Sequence, residues 1–191
     1  MKFFSSTLII IFLSFSAAFA QGTWDVSEGS FKDRIILGGS FGLQFGDVTF
    51  VDISPRLGYR ATNKLTVGVG AIYRYRKQES FRTSQGVFPE LKTNDWGFNV
   101  FGRHMLYGPL YVHAEYEYLN FEAFTGQIIG LEAVTERFDL NSILLGGGIA
   151  QPIGNKAVFV AEALYIVNYD SGELTPYANP WVVRVGIGVG L

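Results

Sequence analysis

The sequence predicts an all-β fold, an eight-stranded antiparallel up-and-down transmembrane β-barrel, on three observations. Over residues 34–191 apolar and polar residues alternate in eight segments, the period of two that marks strands with unlike faces. Tight turns alternate with longer connections. Charged residues keep almost wholly to one of the two faces.

Composition sets the bounds. The 191 residues carry a formal net charge of −2, no cysteine, 17% charged residues, 16% aromatics and 23 glycines. One domain is expected at this length. Without cysteine there is no disulfide framework, thiolate metal site or cysteine nucleophile. So small a net charge gives no electrostatic footprint for nucleic acid. The charged fraction is below the ~25% usual for soluble domains.

The N-terminus has the parts of a signal peptide: Lys2, an apolar run over residues 7–15, and the small-x-small string Ala18-Phe19-Ala20. Residues 1–20 are therefore expected to be cleaved, leaving Gln21 first. No cysteine follows the site, which excludes a lipid-anchored lipoprotein. The apolar run is shorter than the ~20 residues a spanning helix needs, and no longer one follows. Residues 21–33 are polar and are expected to form a flexible lead-in to a barrel over residues 34–191.

The strands follow in order. Residues 34–45 set Ile35, Leu37, Phe41, Leu43 and Phe45 against Arg34, Gly38, Ser40 and Gln44. Residues 51–61 set Val51, Ile53, Leu57 and Tyr59 against Asp52, Ser54, Arg56 and Arg60. In residues 65–76, Leu65, Val67, Val69, Tyr73 and Tyr75 oppose Thr66, Arg74 and Arg76, with Ile72 interrupting the polar face. Trp96, Phe98 and Val100 oppose Gly97, Asn99 and Arg103. Leu110, Val112, Ala114, Tyr116 and Tyr118 oppose His113, Glu115 and Glu117. Residues 137–151 alternate less cleanly, with Phe138, Leu140 and Leu144 expected outward and Asp139 and Asn141 inward. Residues 157–169 set Phe159, Ala161, Ala163, Tyr165, Val167 and Tyr169 against Glu162 and Asn168. Val183, Val185, Ile187, Val189 and Leu191 alternate with Arg184 and three glycines.

Residues 62–64, 107–109 and 152–156 are short and rich in Gly, Pro and Asn, the residues of tight turns. Residues 77–94, 120–136 and 170–179 are expected to be long loops, and the first connection, at Gly46-Asp47, is short. This rhythm matches barrels with short periplasmic turns and longer external loops. Both termini would then lie on the turn side.

A charge on a lipid-facing wall near midplane costs ~2–4 kcal/mol, so the charged face is expected inside. The expected lumen network is Arg34, Arg56, Arg74, Arg76, Arg103 and Arg184 with Glu115, Glu117 and Glu162. Eight strands leave an interior just wide enough for side chains, which favours a salt-bridged plug over an open path. Tyr59, Tyr73, Tyr75, Trp96, Tyr116, Tyr118, Tyr165, Tyr169 and Trp181 fall near strand ends in the outward phase, as in interfacial aromatic girdles.

The Gly-rich alternating strands, the signal peptide and the closing segment WVVRVGIGVGL of residues 181–191 resemble small OmpA/OmpX-type outer-membrane β-barrel domain proteins. The resemblance covers residues 34–191 and implies a bacterial outer-membrane barrel with periplasmic termini, inserted by the barrel-assembly machinery. Such chains commonly end in an aromatic residue, whereas this one ends in Leu191.

Motifs for chemistry are few. His113 shares the inward phase with Glu115, and His104 lies near a short turn. The His-x-Ser string of outer-membrane lipid A deacylases is replaced by His104-Met105-Leu106 and His113-Ala114-Glu115. No nucleophile elbow or zinc-protease string occurs, and Gly146-Gly147-Gly148 lacks the Lys-Ser/Thr of a phosphate loop. Arg76, Lys77, Arg82 and Lys92 make one long connection basic, and Glu122, Glu132 and Glu136 make the next acidic. The function expected is non-enzymatic, structural or surface-interacting, with no cofactor or metal. Outer-membrane lipid and lipopolysaccharide are the expected surroundings, and the chain is expected to be a monomer. The alternatives are a lipid-modifying enzyme using His113 and a soluble periplasmic barrel binding an apolar ligand.

Overall fold

The computed structural model describes residues 30–44, 48–83, 86–129, 132–153 and 157–190. The expected signal peptide, most of the lead-in segment and Leu191 lie outside the described residues. A 3-10 turn, Lys32–Arg34, leads into β1, Ile35–Gln44. There follow β2 (Val48–Arg60), β3 (Leu65–Gln78), the short β4 (Phe81–Thr83) and β5 (Gly86–Phe88), then β6 (Leu91–Tyr107), β7 (Leu110–Ile129), β8 (Glu132–Ile153), β9 (Ala157–Ile166) and β10 (Trp181–Gly190).

All strands except β4 and β5 form one closed antiparallel barrel in the order β1-β10-β9-β8-β7-β6-β3-β2. Each barrel strand thus pairs with its sequence neighbours, and β1 closes the ring on β10 through Ile36↔Gly190 to Gly39↔Ile187. This seam joins the two strands that would be the edges of an open sheet. β4 and β5 form a small separate hairpin.

Turn chemistry sets one end. Thr62 Oγ1 accepts hydrogen bonds from the Lys64 and Leu65 amides at 3.2 and 2.9 Å, reversing the chain between β2 and β3. Between β6 and β7, Gly108 has φ +56°, a left-handed conformation that glycine adopts without a Cβ penalty. On the wall itself, a Cβ on Gly146 would lie 2.2 Å from the carbonyl oxygen of Ala163, so β8 and β9 approach as they do only with glycine there.

Antiparallel partners share a face, so the register fixes what points inward. Along β7 the inward residues are Tyr111, His113, Glu115, Glu117, Leu119 and Phe121, all buried, while Val112, Ala114 and Tyr116 are exposed on the outer wall. From the turn end upward this is a polar layer beneath an apolar one. The apolar layer comprises Ile72, Leu119 and Phe121 with Phe138 and Leu140, and a second group of Leu144, Leu164 and Ile166.

Two expectations are corrected. The phase of β8 is the reverse of that expected. Leu144 is fully buried inside and Phe138 and Leu140 pack on the inner cluster, while Asp139, Asn141, Ile143 and Leu145 are exposed. Polarity misleads here, because Asp139 and Asn141 lie on the outer face, where the Tyr118 and Tyr116 hydroxyls bond them; the pairing with β7, Leu119↔Leu140 and Glu117↔Ser142, sets the phase. Secondly, most of residues 120–136 is paired strand, through Glu122↔Arg137, Phe124↔Thr135 and Ile129↔Glu132. Likewise Lys77 and Gln78 pair with Lys92 and Leu91. Of the three expected long loops, residues 170–179 alone carry no strand.

Candidate functional site

The inward charges meet in one cluster across the middle of the lumen. Arg56 reaches it from β2, Arg103 from β6, His113 and Glu115 from β7, Glu162 from β9 and Arg184 from β10. Glu115 accepts from Arg56 Nη2 at 2.9 Å, from Arg184 Nη1 at 3.0 Å on both oxygens, and meets His113 Nε2 at 2.9 Å. Glu162 accepts from Arg56 Nη1 at 3.1 Å, and on its other oxygen from Arg103 Nη2 and the Tyr111 hydroxyl, each at 2.9 Å. Neither carboxylate side chain is more than 2% exposed. Buried charges persist when paired and hydrogen-bonded, and each of these has donors on both oxygens.

A second tier lies nearer the long connections. Arg74 Nε donates to Asp52 Oδ2 at 3.0 Å, and Ser54 Oγ holds the other Asp52 oxygen at 2.6 Å. Arg184 Nη2 reaches Glu117 at 3.3 Å. Tyr177, from the loop between β9 and β10, donates its hydroxyl to Glu117 and accepts from Arg74 Nη2 at 3.2 Å. The Arg74 guanidinium lies over the Tyr177 ring, 5.3 Å from its centroid. This loop therefore closes the lumen from above, and burial raises the Tyr177 phenol above its ordinary value. The four arginines Arg56, Arg74, Arg103 and Arg184 thus face the four carboxylates Asp52, Glu115, Glu117 and Glu162.

Aromatic rings complete the packing. Phe101 stacks on His113 with centroids 5.7 Å apart, and both Arg56 and Arg103 lie over its ring at 5.3 Å. Arg103 Nε donates to His113 Nδ1 at 3.1 Å. Guanidinium N–H groups only donate, so Nδ1 accepts and the ring proton sits on Nε2, pointed at Glu115. Both imidazole nitrogens are thereby engaged.

The structure brings together Arg56, Arg74, Arg103, Arg184, Glu115, Glu117 and Glu162 of the expected network. Arg34 does not lie on a barrel strand: it occupies the 3-10 turn before β1, where the expected alternation has not yet begun. Arg76 keeps the inward phase of β3 but is exposed at the mouth, lining an outer cavity of about 280 Å³ with Arg74 and Tyr177. Sequence reading missed Tyr111 and Tyr177 as partners. Tyr111 follows Leu110 in the inward phase of β7 and was legible; Tyr177 lies in a loop, where no period announces it.

Most of the expected aromatic set lies on the outer wall. Tyr73, Trp96, Tyr116, Tyr165 and Trp181 are exposed there. The Tyr73, Tyr116 and Tyr118 hydroxyls donate to Asn94, Asn141 and Asp139 respectively. Trp96 packs on Tyr118, and Tyr165 on Trp181, with centroids 6.2 and 5.1 Å apart. Tyr75 is half-buried opposite Val51 and Asn94, and Tyr59 packs at a tilt on Phe31 near the turn end, with centroids 5.4 Å apart. Tyr169 is the exception. β9 ends at Ile166, alternation stops, and Tyr169 packs against the inner Leu144–Leu164–Ile166 group. Asn168, expected inward, is exposed at the same rim. His104 is exposed on the outer wall opposite Val112.

The basic cast of the connection above β3 is partly neutralised, since Lys77 and Lys92 both bond Glu90 and hold its carboxyl below the ordinary value. Among the described residues no group of three or more His, Asp or Glu side chains is placed to hold a metal ion.

No family model matches this sequence, and no curated protein is similar to it. Among solved structures it is similar to the crystal structure of the N-terminal β-barrel domain of Pseudomonas aeruginosa OprF, at 9% identity and TM-score 0.47, covering 82% of this chain and 97% of that one. The class that the strand pairing itself defines is an all-β, closed, eight-stranded antiparallel barrel.

Proposed function

We propose that this chain is a non-enzymatic integral β-barrel of a bacterial outer membrane. Its lumen is plugged by the Arg/Glu cluster, and its role is structural or surface-interacting. The observation that carries the reading is the partition of charge between the two faces. Val69, Phe98, Val100, Ile143, Leu145, Val185 and Ile187 are all exposed on the outer wall, whereas Arg56, Arg74, Arg103, Arg184, Glu115, Glu117 and Glu162 are gathered inside. Soluble monomers restrict exposed apolar surface to patches of ~300–600 Å²; here the apolar surface spans strand after strand. Aromatic rings with hydroxyls turned to polar partners suit the lipid–water boundary.

The turn end is then periplasmic, with both termini, and the paired extensions of β6–β8 project outward among lipopolysaccharide headgroups. The barrel-assembly machinery inserts the chain, which acts as a monomer without a cofactor. The engagement of both His113 nitrogens by Arg103 and Glu115 leaves the imidazole no free nitrogen to act as the base of a lipid-modifying reaction.

The test is fractionation followed by electrophoresis and conductance. The protein should stay with washed membranes until detergent is added, and migrate differently before and after boiling. It should give no stable current steps in a planar bilayer. A chain that remains in solution without detergent overturns the membrane reading, and large stable steps overturn the plug.

A further inference from the structure

Below the charged cluster the lumen is not filled. Most inward positions on the turn side are small or apolar, Thr66 and Arg60 excepted, and they enclose a cavity of about 490 Å³ open at the turn end. That volume lies within the ~300–1,000 Å³ of ordinary small-ligand sites. Ile36, Val158 and Val160 form its wall, and Gly58 and Gly188 leave it wide. Arg56, Arg103 and Glu162 form its floor, and Arg60 and Lys64 its mouth. Glu162 is the only carboxylate among the described lining residues, and it is held by Arg56, Arg103 and Tyr111. The cavity thus has an apolar body, a cationic entrance and a floor whose charges are already paired.

We infer that this cavity binds a single-chain amphiphile with an anionic head, the tail in the barrel and a carboxylate or phosphate between Arg60 and Lys64. Water against aliphatic walls finds few of the two to four polar partners it needs, so a tail displaces it favourably. Depth sets the tail. Arg56 and Arg60 are four residues apart on β2, ~13 Å along the strand at ~3.3 Å per residue, or ~10 Å along the axis at a tilt of ~40°. A medium-length chain fits, and a two-chain lipid does not. The inference rests on the cavity and not on what surrounds the outer wall.

Native mass spectrometry of the full chain in a nonionic detergent tests it, with laurate, dodecyl phosphate, dodecanol and inorganic phosphate as probes. Laurate and dodecyl phosphate should each give one saturable adduct per chain, dodecanol binding about tenfold more weakly for want of a charge-assisted contact, and inorganic phosphate none. Gly188→Leu and Gly58→Leu should abolish the adduct. A Cβ at Gly188 meets only the Ile36 side chain, at 3.3 Å, and one at Gly58 first meets the Thr66 methyl, at 3.2 Å, so both fill the cavity without displacing backbone. The pair Arg60→Gln and Lys64→Gln should weaken both anions about tenfold, leaving dodecanol unchanged. Altered migration before and after boiling identifies the folded variants, and either glycine variant suffices. Absence of an adduct, several unsaturable adducts, an adduct that survives Gly188→Leu or Gly58→Leu in folded protein, or binding of inorganic phosphate as tight as laurate overturns the inference.

Discussion

Replacing Glu115 by glutamine removes one charge from the centre of the lumen and changes its shape little. The carboxylate accepts from two arginines, Arg56 and Arg184, and from His113, at 2.9–3.0 Å, and its side chain is fully buried. Hydrogen bonds to charged groups are worth about 1.5–3 kcal/mol each, but adding them overstates the loss. Arg56 keeps its 3.1 Å bond to Glu162, and Arg184 lies 3.7 Å from the same carboxylate. What remains is a buried positive surplus, and removing one partner of a buried pair destabilises by about 3–5 kcal/mol. Against the ~5–15 kcal/mol total of a folded domain that is a large share. Urea unfolding of protein refolded into lipid vesicles, followed by tryptophan fluorescence, measures it. Glu122→Gln is the control. Its partner Arg137 is 42% exposed, and such pairs are worth ~1 kcal/mol or less. A Glu115→Gln variant within 1 kcal/mol of the control refutes the reasoning, because the cluster would then be wet.

Further outcomes follow from the same geometry. Tyr177→Phe should lose about 1–3 kcal/mol and speed protease nicking in residues 170–179, because the phenol ties that loop to Glu117 and Arg74; unchanged nicking rejects the tie. Burial raises the Tyr177 phenol above its ordinary 10.0, so the neutral form is the one folding favours. That stability is complete below pH 10.0 and lost as pH rises through the folded value, and an alkaline unfolding series should show a smaller loss in Tyr177→Phe than in the parent. Gly146→Ala should impair folding, since its Cβ would meet the Ala163 carbonyl at 2.2 Å, whereas Gly102→Ala, with nothing within 4 Å, should be neutral or gain ~0.5–1 kcal/mol. Val100→Arg on the outer wall should cost ~2–4 kcal/mol in vesicles; no cost there would mean that the wall faces water.

Much of this was legible because the fold writes its faces into a period of two. β2, β3, β6, β7 and β10 each keep their lumen charges on one face, a face that Ile72 shares on β3 and Leu119 on β7, and the seven residues that join the cluster from the expected network lie on those strands or, for Glu162, on the regular part of β9. Legibility failed where the period carries no polarity. β8 has Leu140 and Leu144 on one face and Ile143 and Leu145 on the other, so its phase is set by its neighbours. The extension of β7 and β8 beyond Asn120 is strand because its inner face covers Ile72 with Leu119, Phe121 and Phe138, a contact between segments far apart in sequence. Tyr177 and Tyr169 are placed by the path of a loop. The cavity under Arg56 is a void, and an absence of side-chain volume appears in sequence only as a scatter of glycines on several strands.

The layered lumen also explains why charge is retained at all. A buried ion cluster can often be replaced by aliphatic packing with little loss of stability. In a barrel with an apolar outer wall, though, an apolar lumen would make both faces of every strand alike. A slip of one residue, which exchanges the faces, would then go nearly unopposed. Arg56, Arg103 and Arg184 oppose it on their strands, since each would move to the outer wall at ~2–4 kcal/mol if that wall is hydrocarbon. β8 carries no such guard in the lumen. Its place is taken by contact: Gly146 and Gly148 sit where a Cβ would lie 2.2 Å from the Ala163 and Ala161 carbonyls, so a slip of one residue that brought Leu145 to the Gly146 position would drive it into the backbone of β9. Charge thus specifies register where the faces differ, and close backbone approach specifies it where they do not.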